Sequence, residues 1–301
     1  MIGGGLVWLA VAAWWRPSPS SREWAALLLL LAPLVLVPAS LEIVQGRDGR
    51  NRALALAVRW QPLAALLLAI AFVVPAGVAA GLCALPWFAV TALLAFAGLD
   101  RLRRRLVAPG ELAITGGLVY VAVGGIWTLF SRLGLRPLAF DPSIVLLTGV
   151  HFHYAGFMLP VLTGFAAAAR PGRLADAAVV GVLAGVPMVA VGITATQLGY
   201  GGALEGIAAV ATALAAALVG ALHLRLATER ARAPRARALW TVAAIALLGS
   251  MGLAALYGMR GAAVLPSLDV PTMWALHGTA NAVGFGFCGL VGWRDAMENR
   301  P

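Results

Sequence analysis

The sequence predicts an all-α, polytopic transmembrane helix bundle of about ten spans with both termini cytoplasmic. Three observations carry this: composition, the recurrence of apolar runs, and the placement of arginine. Hydrophobic residues make up 61% of the chain and charged residues 11%, with a mean hydropathy of +0.91. An ordinary soluble domain carries roughly 25% charged residues, so a water-soluble globule is excluded. At 301 residues, spans of roughly 20 apolar residues joined by short loops leave room for about ten crossings and no separate soluble domain. Residues 1–301 are therefore expected to form a single transmembrane helical domain.

The runs follow in order. Residues 2–15 are apolar, with no basic leader and no small-residue cleavage site before Trp14, Trp15 and Arg16, which predicts a short first span and no cleaved signal peptide. Further spans are expected near 24–44, 57–75, 77–99 and 112–131, then near 142–168, 175–195, 205–226, 238–257 and 272–292, where Pro, Gly and polar residues punctuate the apolar stretches. Pro33, Pro38, Pro75, Pro86, Pro160 and Pro187 lie in or between spans and predict kinks. Gly181 and Gly185 form a GxxxG pair, and Gly278, Ala282 and Gly286 a small-residue stripe; close helix packing is the expected reason for both. Tyr120, Trp127, Trp240, Tyr257, Trp274 and Trp293 fall near span ends, where membrane anchoring is expected for most of them. The polar stretch Thr194–Gly202 reads as a plain outer loop, with a re-entrant segment as the alternative. An inverted five-plus-five repeat leaves no detectable trace.

Cytoplasmic loops accumulate Arg and Lys, and all basic residues here are Arg. One alternate set of segments holds Arg47, Arg50, Arg52, Arg59, Arg101, Arg103, Arg104, Arg105, Arg170 and Arg173, continuing with Arg225, Arg230, Arg232, Arg235, Arg237, Arg294 and Arg300. The opposite set holds only Arg16, Arg22, Arg132, Arg136 and Arg260. A missed span would scramble this alternation, so the asymmetry supports both count and orientation. The lipid bilayer is the expected partner. The formal charge of +10 reflects orientation and not nucleic-acid binding, because no basic stripe interleaves with aromatics. Arg without Lys suits a high-GC bacterial genome and a bacterial cytoplasmic (inner) membrane. Cys83 and Cys288, each inside an apolar span, form neither a disulfide framework nor a CxxC metal site and read as packing residues.

Ionisable groups at membrane depth are expensive, which makes them the functional candidates. Glu42, Glu111 and Asp176 fall at cytoplasmic span ends and Asp141, Glu205 and Asp269 at outer ends, so a carboxylate relay is disfavoured and histidine must carry any such role. The sixth span contains Thr148-Gly-Val-His151-Phe-His153-Tyr154. At 1.5 Å per residue, His151 lies about 14 Å and His153 about 17 Å below Pro142, near the middle of a core about 30 Å thick. Side chains at i and i+2 point about 200° apart, so the pair cannot share one ion unless the helix opens at Gly149 or Gly156. Thr148, His151 and Tyr154 share a face. In the last span His277, Asn281, Gly284 and Cys288 share a face, with Asn281 about 15 Å below Pro271. His151, His153 and Asn281 thus sit at similar depth, compatible with a common site; interhelical hydrogen bonding is the plainer role, and the one favoured for Asn281 alone. His223, beside Arg225, is expected to be exposed or capping.

No Walker loop, GxSxG elbow, HExxH or histidine box is present. The segments VHFHYAGFMLP, Val150–Pro160, and LHGTANAVGF, Leu276–Phe285, together with the run LLLAPLVLVP at Leu29–Pro38, resemble the YndJ-like family of bacterial membrane proteins. That resemblance implies the membrane architecture and marks His151, His153, Tyr154, His277 and Asn281; it supplies neither a reaction nor a cofactor.

The leading expectation is a transporter-like or small-ligand-binding protein whose midplane site lies between the sixth and tenth spans. Thr148, His151, His153, Tyr154, His277 and Asn281 are its candidate ligand-binding residues. Imidazole titrates near neutrality when unperturbed, and so suits proton switching. A second reading is an intramembrane metal- or haem-binding redox protein with His151, His153 and His277 as ligands. A third is an assembly protein without a small-molecule site. No catalytic residue is assigned, no cofactor is required, and no oligomeric state follows.

Overall fold

The computed structural model describes residues 2–48, 51–104, 108–260 and 268–298; Arg50, Arg105 and Arg300 of the arginine pattern lie outside them. Among the described residues the chain is helical throughout, with turns and no strand. The long elements are α1 (Ile2–Trp15), α2 (Arg22–Arg47), α3 (Arg52–Val73), α4 (Val78–Arg103) and α5 (Pro109–Leu133). They continue with α6 (Pro142–Ala169), α7 (Arg173–Gln197), α8 (Ala203–Ala227), α9 (Pro234–Gly258) and a final helical run α10 over residues 270–298. Eight of these, α2 to α9, are long and apolar enough to cross a membrane. α1 has only 14 residues, and α10 is diluted by His277, Asn281 and several glycines. The protein is an all-α, polytopic helical membrane protein.

Helix starts are set by side chains that accept the orphan N–H groups of the first turn. Ser21 accepts from Trp24 N, Asn51 from Leu54 N at 3.0 Å, Asp141 from Ser143 N at 2.7 Å with Pro142 at the first helical position, and Asp269 from Thr272 N at 2.7 Å. The stretch Thr194–Gly202 resolves into the last turn of α7 and a tight connection to α8. Gly199 (φ 86°) and Gly201 (φ 83°) supply the left-handed backbone there, so it is a plain connection.

The chain divides into two compact units, one of residues 1–107 and 114–158, the other of residues 108–113 and 159–301. The division falls within α6 at its π turn, Tyr154–Met158. The first unit is organised around α2, where Leu27 to Leu31 are all buried. A π turn spans Ala32–Leu36 in this helix, and its cause is legible. Val37 N–H bonds to Ala32 O, and Pro38 has no N–H to give, so the Pro33 carbonyl has no partner in its own helix. Gln61 of α3 donates its side-chain amide to that carbonyl. One turn earlier Ala32 N–H bonds to Leu29 O and Pro33 has no N–H, leaving the Leu28 carbonyl for the Tyr154 hydroxyl, which donates to it at 2.6 Å. At the end of α3, Arg132 donates to Ala71 O and Val74 O at 3.1 and 2.9 Å, placing a cation on terminal carbonyls. At the opposite end Arg101, 1% exposed, pairs with Asp48 at 3.2 Å.

The second unit is held by small residues. A Cβ on Gly181 would lie 2.7 Å from Ala215 Cβ, and one on Gly185 2.7 Å from Thr212 Oγ1, so α7 and α8 meet through the GxxxG pair as close packing requires. The close approach of α10 to α9 is at Gly284 and Gly292, whose added Cβ atoms would meet Ala246 and Trp240. Trp240 and Trp293, expected at the membrane surface, are instead 0% and 5% exposed, with ring centroids 4.7 Å apart. This corrects the anchoring expectation for that pair: their N–H-bearing rings fill the α9–α10 core.

Candidate functional site

The His-bearing segment of α6 belongs to the first unit, and most of its polar atoms are already committed. His153 is fully buried. Its Nδ1 is 2.7 Å from Gly149 O, one turn back in the same helix, which assigns the proton to Nδ1. Its Nε2 then accepts from Trp87 Nε1 of α4 at 2.9 Å, with the two rings stacked at 5.8 Å. Gly124 makes the room, since a Cβ there would come within 2.8 Å of His153 Nδ1. Both ring nitrogens are spent, so a metal could bind His153 only by displacing Trp87. Thr148 bonds back to Ile144 O at 2.8 Å. Tyr154, as described, satisfies Leu28 O. His151 is half-buried and meets Phe152 edge-on at 5.3 Å; it diverges from His153 as an i, i+2 pair on one helix must.

The second group, in the other unit, is His277 and Asn281 of α10 with Ser250 of α9. His277 Nδ1 lies 2.8 Å from Ser250 O. Asn281 Nδ2 reaches His277 Nε2 at 3.1 Å, and the Ser250 hydroxyl is 2.8 Å from Asn281 Oδ1. With the proton on Nδ1, the three residues form a closed chain: His277 donates to the Ser250 carbonyl, Asn281 donates to His277, and Ser250 donates to Asn281. Ser250 is buried, but His277 and Asn281 are only half-buried.

The backbone here is unusual. Residues Trp274–Gly278 and Ala280–Phe287 are wound as π helix. The other two π turns adjoin prolines, Pro33 and Pro38 in α2 and Pro160 in α6, whose missing N–H and ring bulk disturb the preceding turn. No proline occurs in α10 beyond Pro271, at its first turn. π turns are rare and concentrate at functional sites, and this one carries His277 and Asn281.

The fourth imidazole lies elsewhere than the sequence placed it. His223, expected to be exposed or capping, is fully buried. Its Nδ1 is 2.9 Å from Val219 O, Trp293 Nε1 lies 3.4 Å from its Nε2, and Phe285 packs edge-on at 5.8 Å. Depth along α8 was readable from Arg225, but the face of the helix was not. His153 with Trp87 and His223 with Trp293 are thus one device used twice: an imidazole bonded to its own helix one turn back and accepting an indole N–H from another.

Among the described residues no three His, Cys, Asp or Glu side chains come close enough to hold a metal ion. His151, His153 and His277 are not gathered into such a group. Cys83 and Cys288 are half-buried free thiols. Near the end of α9, Arg260 binds Glu205 at 2.7 and 3.2 Å and stacks over the Tyr257 ring at 4.0 Å. The bond to Glu205 raises the Arg260 pKa. A groove lined by Ala190, Val191, Thr194, Ala195, Leu198 and Tyr200 is open and apolar and suits lipid rather than a polar solute.

Helices of this length and apolarity, with polar side chains confined to a few interior nodes, define a multi-pass membrane protein. The chain belongs to the YndJ-like protein family, which matches residues 27–285. The uncharacterized membrane protein YndJ of Bacillus subtilis (strain 168) is 28% identical over 276 residues, covering 90% of this chain and 48% of that protein. The chain therefore spans about half the length of that relative. No solved structure matches.

Proposed function

We propose that this is a transporter-like, small-ligand-binding protein of a bacterial cytoplasmic membrane, with both termini cytoplasmic, and that Ser250, His277 and Asn281 form its ligand site. The single observation that carries the reading is the π-wound stretch of α10 without an internal proline, centred on two half-buried polar side chains. Asn281 keeps one amide hydrogen beyond its bond to His277, which would be costly to leave in hydrocarbon, and a solute or water able to accept it removes that cost. The arginine asymmetry supports the orientation. In this reading His153 and Tyr154 organise helices through Trp87 and Leu28 O, and Thr148 bonds back to Ile144 O.

The test is thermal unfolding of the purified protein against a library of small polar solutes. A stabilising solute is expected, with its apparent affinity lowered by about 10- to 100-fold in His277→Ala and Asn281→Leu, as removal of one or two buried hydrogen bonds implies. Equal stabilisation of wild type and both variants would remove the site.

A metal or haem reading is less favoured, because Gly149 O and Trp87 Nε1 already engage both nitrogens of His153. The assembly-protein reading gains from the His–Trp nodes, but it leaves the π winding of α10 without a reason.

A further inference from the structure

We infer that Arg22, Arg132 and Arg136, gathered at one end of the first unit, bind the phosphate of an anionic phospholipid. Arginine accumulates on the cytoplasmic side of membrane proteins, so those on the opposite side call for a reason. Only Arg16, Arg22, Arg132, Arg136 and Arg260 fall in that set of segments. Arg260 is accounted for by its pairing with Glu205. The other four belong to the first unit, and among the described residues none of them forms an ion pair.

Three of the four are drawn together by the connection between α5 and α6. Arg22, the first residue of α2, donates to Pro142 O at 3.1 Å. Arg136 donates through Nε to Phe140 O at 2.9 Å and through Nη2 to Ala139 O at 3.3 Å. Arg132, in the last turn of α5, holds Ala71 O and Val74 O through Nε and Nη2 and lies over the Phe72 ring at 4.7 Å. Its own carbonyl accepts from Gly77 N at 2.8 Å, which fixes the α3–α4 turn against it. Each guanidinium is therefore oriented by neutral carbonyls that leave its charge uncancelled, and each keeps both hydrogens of Nη1. The two carboxylates at this level do not compensate. Asp141 accepts from Ser143 N as the cap of α6, and Glu23 is exposed in the first turn of α2. Guanidinium groups held in place with N–H groups to spare suit the oxygens of a phosphate.

The apolar surface beside these charges identifies the anion as a lipid. Leu135 and Leu138, in the same connection as Arg136, are 49% and 60% exposed. Val73 and Val78 are also exposed, on either side of the turn that Arg132 holds. Leu138 (φ 55°) and Ala139 (φ 59°) adopt left-handed backbone that side chains disfavour, and the two bonds from Arg136 hold that shape. A strained turn that exposes leucine beside a guanidinium does nothing for a solvated loop or for a water-soluble anion. A phospholipid offers a phosphate to the one and an acyl chain to the other.

The test uses full-length protein purified in a neutral detergent, titrated with phosphatidylglycerol or phosphatidylcholine, with bound lipid counted by native mass spectrometry. Phosphatidylglycerol is expected to be retained at a concentration at least about tenfold below that needed for phosphatidylcholine. Arg22→Gln and Arg136→Gln should each weaken that retention by about tenfold, as loss of a charge-assisted bond implies, and Leu138→Gln should weaken it several-fold. Arg22→Lys, which keeps the charge, should restore most of it. Changing Arg230 and Arg235, exposed arginines around the α8–α9 connection, to Gln should leave it within about twofold. Equal retention of the two lipids overturns the site, as does equal weakening by the Arg230 and Arg235 changes or by Arg22→Lys. Displacement of the lipid by inorganic phosphate at equal concentration overturns the assignment to lipid.

Discussion

His153 and His223 have surroundings that depth along a helix does not reveal. His151 and His153 are together marked as ligand candidates by their mid-helix depth, yet Gly149 O and Trp87 Nε1 occupy both nitrogens of His153. Trp87→Phe should leave Nε2 buried without a donor and cost about 1–3 kcal/mol, seen as a lowered unfolding temperature with solute affinity unchanged. A fall in affinity with no loss of stability would return His153 to the ligand site. Depth along a helix follows from counting residues, but the face a side chain takes and the partner it meets come from other helices. That is why His223, placed at an interface by Arg225, proved buried against Trp293 and Phe285. His277 and Asn281 were visible as polar breaks in an apolar span; Ser250, which completes their chain, was not, being one hydroxyl in an otherwise plain helix.

For the helices themselves, the lengths of apolar runs and their Pro and Gly punctuation were enough. The helix Val78–Arg103 occupies the run read as 77–99, and Arg173–Gln197 the run read as 175–195. Kinks were legible as prolines, but their consequences were not, because a freed carbonyl finds its donor on a distant helix. Gln61 serving Pro33 is the clearest case. Gln61→Leu should cost about 1–3 kcal/mol by stranding that carbonyl. In a Pro38→Ala background, whose new N–H can reach Pro33 O within the π turn, the same change should cost measurably less. A double-mutant cycle by chemical unfolding reads the coupling, and additive effects would contradict this account of the α2 kink. The start of α10 offers a pH test. Hydrogen bonds from Thr272, its hydroxyl first and its backbone N–H second, hold the Asp269 carboxyl below the usual range. The cap is therefore present above the ordinary carboxylate pKa and lost as pH falls through the lowered value. Protection of the Thr272 amide from exchange should follow that acid titration and become pH-independent in Asp269→Asn.

At the scale of the whole molecule, an all-α membrane protein was legible from composition, the recurrence of apolar runs and the placement of arginine, and membership of the YndJ-like family is shown over residues 27–285. The π winding of α10 was not foreseeable, since no proline marks it and its apolar pattern is ordinary. It is nonetheless the feature that separates a ligand-binding protein from a bundle merely tied together by polar nodes. His153 and His277 both have their nitrogens engaged, but His277 is held by Asn281, whose amide keeps a second hydrogen for a ligand, whereas His153 is held by the Trp87 indole, which keeps none. The most direct measurement is solute-dependent thermal stabilisation of His277→Ala beside Trp87→Phe. The account predicts a protein that keeps its fold but loses the solute response in the first variant, and one that loses stability but keeps the response in the second. The reverse pattern would contradict it.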